Sequence, residues 1–398
     1  MKLYAQHGFG PGTKIKEGIT AGLLDGVIIS AKDVSTEQLG LQMNELRGIR
    51  DSIDILLDTQ YYASILPDHE DNRLGNLATY PYWIETPQND LYFLDPKNIE
   101  GDIRKCLEFQ TELPVTSHIA PNIVVRGSLN SREGLIATSF LNETKRVAKE
   151  VGSSRKTFCT LALSREAILD SRELAHFVQL ITSLPNPPDG IYFLLALSGA
   201  IQSETFHGDV IAGLLYLVSA LKLNGFEVIV GYSDLMGPIL ATVGADAGAS
   251  GWFATLRHFS LNRFAPGSGG GQPARSVYLS VSLFNRILLG ELLAAVTLEP
   301  AVKNGISTDG SYFDENGVIE PETKTKECLQ SWEALRKLHG LFTEGQENVR
   351  LIALMDHVRK AKVLYSSLRK QGVLFEAKSS DAHLDPILQG ISDFQRSA

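Results

Sequence analysis

One short stretch, Ile53–Tyr62 (IDILLDTQYY), joins an apolar run to side chains that could act on a ligand. The run delivers Asp58, and Gln60, Tyr61 and Tyr62 follow it. A carboxylate at the end of a buried strand could serve as a general base or as a nucleophile. The amide and the two phenol rings could bind and stack on a planar ligand. The competing interpretation is that Asp58 caps a turn while the tyrosines pack under the segment that follows.

Other apolar runs also end in polar or aromatic side chains. These supply further candidate ligand-binding residues: Gln6, His7, His118, Ser250, Trp252 and Arg257. The same strand ends carry Lys32, Asp33, Ser198, Gln202, Tyr232 and His258. Asp234 is a second candidate catalytic acid, although an N-cap for the helix that follows explains it better. A lone histidine is more often structural than catalytic, so His7 and His118 are weaker candidates.

Eight apolar runs alternate with amphipathic, helix-like segments. They are Lys2–Gly8, Gly26–Ser30, Ile53–Tyr62, Val115–Pro121, Thr157–Ser164, Gly190–Gly199, Phe226–Ser233 and Ala245–Trp252. Most are continuously apolar, which is typical of parallel strands buried on both faces. Eight strand–helix units over about 260 residues predict an α/β fold, a (β/α)8 TIM barrel with a C-terminal helical extension. A doubly wound open sheet is the second choice. In a TIM barrel, the strand-end residues above would meet at the C-terminal mouth.

The predicted domain organisation has three parts. Residues 1–261 form the barrel, residues 262–276 a Gly-rich linker, and residues 277–398 a helical region packing on the barrel. An aromatic-rich insertion at 63–96, after the third strand, is either a lid over the mouth or an ordinary packed excursion. The linker's GSGGG lacks the Lys-Ser/Thr of a phosphate-binding P-loop. Helices are expected over Ser280–Val296 and two later segments.

The last predicted helix has two contrasting faces. An apolar stripe comprises Leu351, Leu354, Val358, Ala361, Tyr365 and Leu368. The opposite face is rich in arginine and lysine, which indicates a solvated surface more readily than a contact with nucleic acid or a partner.

Composition excludes several classes of protein. The 398 residues carry 37 Lys and Arg against 46 Asp and Glu, a net charge of −9, so the surface as a whole does not favour DNA. The three cysteines form no CxxC pair and no His–carboxylate cluster is visible, so neither a metal nor a cofactor is predicted. The start has no signal-peptide character, and the apolar run from Val210 is too short to span a bilayer. A cytoplasmic protein without a membrane part is expected.

Two motifs resemble those of the tRNA-guanine transglycosylase family. LATVGADAGASGW (Leu240–Trp252) is similar to that family's last-strand region, and LLDTQYY (Leu56–Tyr62) to its strand ending in Asp-Ser-Gly-Gly-Phe-Gln. That family is a TIM barrel that exchanges guanine for a deazaguanine base in tRNA. The resemblance implies base binding, with Asp58 matching one family aspartate. However, the family's nucleophile falls on Ala249, and its Cys-x-Cys-x-x-Cys…His zinc site is absent.

The resulting functional hypothesis is a barrel whose C-terminal mouth binds a nucleobase, a nucleoside or nucleic acid. If the protein is an enzyme, transferase chemistry of the transglycosylase kind is expected, without a cofactor. One alternative is a non-catalytic subunit of a larger nucleic-acid-handling or defence complex; a homo-oligomer is equally compatible with the sequence. Another is a flavin- or sugar-phosphate-binding enzyme, in which the Ser250 and Gly251 amides would face a phosphate. Asp234 would disfavour an anion there.

Overall fold

The computed structural model describes residues 1–9, 12–66, 73–84, 89–197, 206–265, 275–306 and 324–397. The strands there are β1 Lys2–Gln6, β2 Gly26–Ser30, β3 Asp54–Asp58, β4 His118–Ala120, β5 Val124–Val125, β6 Thr157–Ser164, β7 Gly190–Ala196, β8 Glu227–Val230, β9 Ala247–Ser250, β10 Val277–Ser280 and β11 Asn285–Leu288. The α-helices are α1 Lys14–Thr20, α2 Thr36–Ile49, α3 Pro96–Thr111, α4 Arg132–Glu150, α5 Arg165–Leu169, α6 Ser171–Thr182, α7 Gly208–Leu223, α8 Met236–Ala241, α9 Leu289–Leu298, α10 Pro300–Asn304, α11 Lys324–Leu341, α12 Glu347–Lys370 and α13 Leu384–Ser397.

Eight parallel strands form a nearly closed barrel in the order β3-β2-β1-β9-β8-β7-β6-β4, with β5 paired to β6 as a short addition. At the remaining seam, the Thr116 amide donates to the Ile55 carbonyl at 2.8 Å. The Ile55 amide in turn donates to Thr116 Oγ1 at 3.0 Å. The predicted (β/α)8 barrel is confirmed, and its strand order brings the carboxyl ends of all eight strands to one mouth.

The strands follow from the apolar runs because every residue of β2 and of β6 is buried. Each predicted run contains a barrel strand. The helical stretch after β6 is divided into α5 and α6. The break lies at Asp170, whose carboxylate accepts from the amides of Arg172 and Glu173 and so caps α6 as a new helix.

Glycines near the mouth leave room for side chains inside the barrel. A Cβ atom on Gly231 would lie 2.6 Å from the Tyr192 hydroxyl, and one on Gly251 would lie 2.6 Å from the Gln6 carbonyl oxygen. A larger residue at position 231 would displace the Tyr192 hydroxyl, and one at position 251 would displace the Gln6 carbonyl. Gly231, after β8, therefore admits the Tyr192 hydroxyl to the barrel interior, and Gly251, after β9, allows a close approach to the Gln6 carbonyl.

The region after the barrel begins with a hairpin rather than a helix. Strands β10 and β11 pair antiparallel, so the helix predicted from Ser280 was wrong up to Leu288. The Phe284 backbone turns with a φ of 50°. The Gln330 side chain binds the backbone of Leu279 through both amide atoms, at 3.0 and 2.7 Å. These contacts satisfy backbone groups that a helix would have paired internally.

Helix α11 packs against α1, α8 and β1, so it occupies a place in the ring of helices around the barrel. Trp332 of this helix is buried, and its Nε1 donates to the Ser250 carbonyl at 3.0 Å. Glycines make the close approach feasible, since a Cβ on Gly18 would lie 2.9 Å from the Trp332 ring. The C-terminal region thus packs on the outside of the barrel, against its helices and strands, through α11.

Helix α12 has the predicted stripe: its buried residues are Leu351, Leu354, Val358, Ala361, Tyr365 and Leu368. Its basic face is exposed, and several of its cations pair with acids, among them Arg359 with Asp356 at 3.0 Å. This agrees with a solvated surface. No helix in the described ranges has both the length and the apolar character needed to cross a membrane.

The insertion at 63–96 is described over 63–66, 73–84 and 89–96, and there it packs against the mouth. Tyr80 and Tyr82 are buried and donate to the backbone carbonyls of Val34 and Thr59, at 2.8 and 3.0 Å. Most of the predicted linker, including its GSGGG, lies outside the described residues, as do Ser198 and Gln202.

Candidate functional site

Asp58 is the centre of a buried polar cluster at the end of β3. Its Oδ2 accepts hydrogen bonds from the hydroxyls of Tyr62 at 2.9 Å, Tyr192 at 3.2 Å and Tyr232 at 3.3 Å. Its Oδ1 accepts from the Gln60 amide at 3.1 Å. We call these five residues the Asp58 cluster. Both oxygens of the carboxylate are therefore engaged by the protein itself.

Burial raises the pKa of Asp58 to about 6, against the lowering effect of the hydrogen bonds from Tyr62 and Gln60. Phe259 and Phe264 pack on the Tyr62 ring, with centroids 4.8 and 6.0 Å away. Asp58 has no exposed surface, so it lies below the mouth rather than in it. Its predicted role as a general base or nucleophile stays a prediction.

Gln60 links this cluster to the neighbouring strand end. Its Oε1 accepts from the Lys32 amide at 2.8 Å, and its Nε2 lies 3.4 Å from the Tyr232 hydroxyl. The Gln60 backbone has a φ of 52° and that of Tyr232 a φ of 51°, conformations that non-glycine residues seldom adopt. The hydrogen bonds of Gln60 and Tyr232 hold both side chains in the Asp58 cluster, and Gln60 is fully buried there. The predicted ligand-reading role of Gln60 is not supported by this geometry.

Arg263 extends the cluster toward the mouth. Its guanidinium donates to the Tyr232 hydroxyl at 2.8 Å and to Asp33 Oδ2 at 2.9 Å. The Arg263 and Asp33 side chains are only 8% and 6% exposed, so this ion pair is well shielded from water. The sequence interpretation missed it because Arg263 stands in the segment assigned to a linker.

Asp234 forms a second, separate charged group. Both its oxygens accept from Arg286 of β11, at 2.6 and 3.0 Å, and Oδ1 also accepts from Ser250 at 3.2 Å. The Arg286 guanidinium holds the pKa of Asp234 well below its ordinary value, against the effect of burial. The N-cap interpretation was wrong: Leu235 is the N-cap residue of α8, and the carboxylate pairs with Arg286 instead.

Arg257 lies near this pair. Burial, followed by the charge of Arg286, lowers the pKa of Arg257 to about 10. The Gly251 amide, expected to face a phosphate in the sugar-phosphate alternative, donates to the Leu256 carbonyl at 3.1 Å. That amide is therefore not available to a ligand.

Two predicted site residues lie away from the mouth. His118 begins β4 rather than ending it and pairs with Thr157 at the start of β6, so it lies at the opposite end of the barrel. There it contacts Ser153 and Arg155, at 3.2 and 3.5 Å. The interpretation of His118 as a mouth residue was wrong because the strand begins three residues later than expected. Tyr61 donates to Asp102 of α3 at 2.5 Å and so is part of the packing.

Two adjoining clefts border the mouth in the described part of the chain, and the first extends outward between α1 and α2. Cleft A, of about 680 Å³, is lined by residues that include His7, Phe9, Lys14, Asp33, Gln42 and Trp252. Cleft B, of about 400 Å³, is lined by residues that include Phe9, Lys32, Asp33, Arg73, Phe253 and His258, with Arg263 beside Asp33. The clefts share Phe9 and Asp33, so one ligand could occupy both. Both volumes lie in the range of small-molecule sites.

His7 lines cleft A and binds Gln42. Gln42 Nε2 donates to His7 Nε2 at 3.0 Å, so the ring proton resides on Nδ1. Nδ1 is buried and has no hydrogen-bond partner in the described part of the chain. Burial lowers the His7 pKa to about 4, so the ring is neutral at pH 7. His7 Nδ1 is therefore a buried donor whose partner is not among the described residues.

Gln6 lies deeper, beside the Tyr192 hydroxyl. It is fully buried, and neither of its amide atoms has a well-formed hydrogen bond within the described residues. Of the predicted residues, His7 and Trp252 thus line a cleft. Gln6, Asp58, Gln60 and Tyr62 lie beneath it, and Asp234, Ser250 and Arg257 form the second charged group. Within the described ranges, no three His, Cys, Asp or Glu side chains converge as metal ligands would.

Comparison with known proteins adds little to this picture. No protein-family model matches the chain, and no curated protein matches its sequence. A glycosyl hydrolase of the GH3 family from Mycobacterium smegmatis shares 12% identity over 62% of this chain and 82% of its own, with a TM-score of 0.38. An HpcH/HpaI aldolase from Desulfitobacterium hafniense shares 10% identity over 63% of this chain and 86% of its own, with a TM-score of 0.33. At these TM-scores neither likeness bears on function.

Proposed function

We propose that the C-terminal mouth of this barrel binds a ligand that contains a nucleobase. The observation that carries the proposal is a set of aromatic side chains around the adjoining clefts. Phe9 is 75% exposed and Phe253 is 49% exposed, and Trp252 lines cleft A beside them. Large aromatic side chains left in water around a cleft are typical of ligand sites, and bases stack on such rings.

The polar groups of cleft A suit the edge of a base. The Gln42 side chain lines this cleft, and beyond its hydrogen bond to His7 it keeps a carbonyl oxygen and a second N–H that can pair with the ligand, whereas His7 Nδ1 is buried. The His7 ring meets Trp252 edge-on, with centroids 6.2 Å apart. A base stacked on the tryptophan would therefore present its edge close to a hydrogen-bond donor.

We propose binding of the ligand as the function. Exchange of its base would be the reaction if the protein also acts as an enzyme. Ala249, at the position of the resembling family's nucleophile, is fully buried and has no reactive group. Asp58 has both oxygens engaged. Its contribution is to fix the hydroxyl of Tyr232, which in turn binds Arg263 at the mouth.

Isothermal titration calorimetry of the full chain with guanine, deazaguanine, the four nucleosides and a short single-stranded oligonucleotide tests the proposal. At least one should bind, and Phe9→Ala should weaken that binding by about tenfold through lost stacking. Leu223→Ala is the matched control, since Leu223 is 84% exposed at the end of α7, outside the clefts. Heat signals absent for every ligand, or equal losses in both variants, would refute the proposal.

A further inference from the structure

Cleft B has an excess of positive charge. Its described lining contains Lys32, Arg73 and Arg263 but one acid, Asp33. Arg263 neutralises that acid through their shielded ion pair. Burial lowers the pKa of His258 to about 4, so this residue adds no charge at neutral pH. Lys32 and Arg73 therefore lack an anionic counterpart among the described residues that line the cleft.

The Lys32 ammonium is held in place with a donor to spare. Its Nζ donates to the Arg263 carbonyl at 2.7 Å and to the Arg73 carbonyl, and it lies 5.0 Å from the centre of the Phe264 ring. An ammonium group has three donors, and two are used here. The group is thus pre-positioned by two segments that meet at the mouth, and its third N–H has no acceptor among the residues that the structure describes.

We propose that cleft B binds the phosphate group of the ligand whose base occupies cleft A, so that the ligand is a nucleotide rather than a free base or nucleoside. This inference rests on the proposed function. Lys32 and Arg73 would donate to the phosphate oxygens, and such charge-assisted bonds are stronger than those between neutral groups. Arg263 offsets the repulsion that Asp33 would otherwise exert. Phe9, which the clefts share, marks where the sugar would lie.

The affinity should depend on pH in a defined direction. Burial, and next the charge of Arg263, lowers the pKa of Lys32 to about 8. The charged or titratable groups that share cleft B with it are Asp33, Arg73, Arg263 and His258. A bound phosphate raises the Lys32 pKa, so binding takes up a proton above pH 8. Because a phosphate monoester is already a dianion above about pH 7, its affinity should fall, by up to about tenfold per pH unit, as pH rises through 8.

The test compares each nucleoside with its 5′-monophosphate by calorimetry at pH 7. The monophosphate should bind at least about tenfold more tightly than the nucleoside. Lys32→Met and Arg73→Gln should each remove most of that difference. Arg73 is exposed, so its variant keeps the inference testable if Lys32→Met does not fold. Lys97→Gln, an exposed lysine at the start of α3, is the matched control.

Lys32→Arg separates a charge effect from a structural one, since it should keep the phosphate preference and lose the fall in affinity above pH 8. Equal affinities for nucleoside and monophosphate in the unmodified protein would overturn the inference and leave the proposed function standing. If no nucleoside binds, inorganic phosphate is titrated instead. If inorganic phosphate binds and Arg73→Gln weakens that binding, the result supports a phosphate site in cleft B without the nucleobase site. If phosphate does not bind, the phosphate site is overturned as well.

Discussion

Two carboxylates at the same mouth, Asp58 and Asp234, have opposite electrostatic environments. Both are buried; Asp58 ends β3 and Asp234 follows β8. Asp58 is surrounded by neutral hydroxyls and an amide, so burial prevails and its pKa rises to about 6. Asp234 faces a guanidinium, so charge prevails over burial and its pKa falls. The identity of the partner, rather than depth, decides how each acid behaves.

The largest expected effect comes from breaking the Asp234 pair. Arg286→Met would leave a buried carboxylate without its cation and should lower the free energy of unfolding by about 3–5 kcal/mol. Urea denaturation at pH 7 measures it. A loss below about 1 kcal/mol would mean that Asp234 is solvated and that the contrast with Asp58 is false.

The pH dependence of stability should separate the two acids next. The raised pKa of Asp58 means that the folded protein keeps a proton that the unfolded chain releases, so this group costs stability as pH rises from about 4 to 6. Asp58→Asn should therefore gain up to about 3 kcal/mol relative to the unmodified protein across that range. The lowered pKa of Asp234 works in the other direction: its contribution is present above pH 4 and is lost on acidification. Parallel stability profiles for Asp58→Asn and the unmodified protein would contradict this account.

A smaller effect tests the hydroxyls around Asp58. Tyr192→Phe removes one of three hydroxyl donors and should cost about 1 kcal/mol at pH 7. The cost should shrink at pH 5, because a protonated Asp58 needs fewer donors. Chemical denaturation at the two pH values measures the difference. A cost that is the same at both would show that Tyr192 acts by packing alone.

The smallest effect gives the exposed reference for these buried groups. Arg359→Gln breaks the pair with Asp356 on α12, where both side chains are more than half exposed. Its unfolding free energy should change by no more than about 0.5 kcal/mol. A change as large as that of Arg286→Met would show that burial does not distinguish the pairs.

The sequence predicted the barrel well because its strands are buried on both faces and therefore stand out as apolar runs. It also placed His7, Asp58 and Trp252 correctly at strand ends on the mouth side. What it missed depends on contacts between distant segments. Arg263 and Arg286 lie 230 and 52 residues from the acids they bind, in segments interpreted as a linker and a helix. The sequence also placed His118 at the mouth, whereas it lies at the opposite end of the barrel, because β4 begins three residues later than predicted.

The contrast between the Asp58 cluster and the clefts above it can be tested in one titration series. The nucleoside that binds best is titrated into Trp252→Leu and Asp58→Asn. If the ligand stacks in cleft A, Trp252→Leu should lose about tenfold or more in affinity, whereas Asp58→Asn should stay within about threefold, because its cluster lies below the clefts. Loss of binding in Asp58→Asn with full affinity in Trp252→Leu would contradict the account. The ligand would then bind at Asp58, the acid that the sequence first indicated.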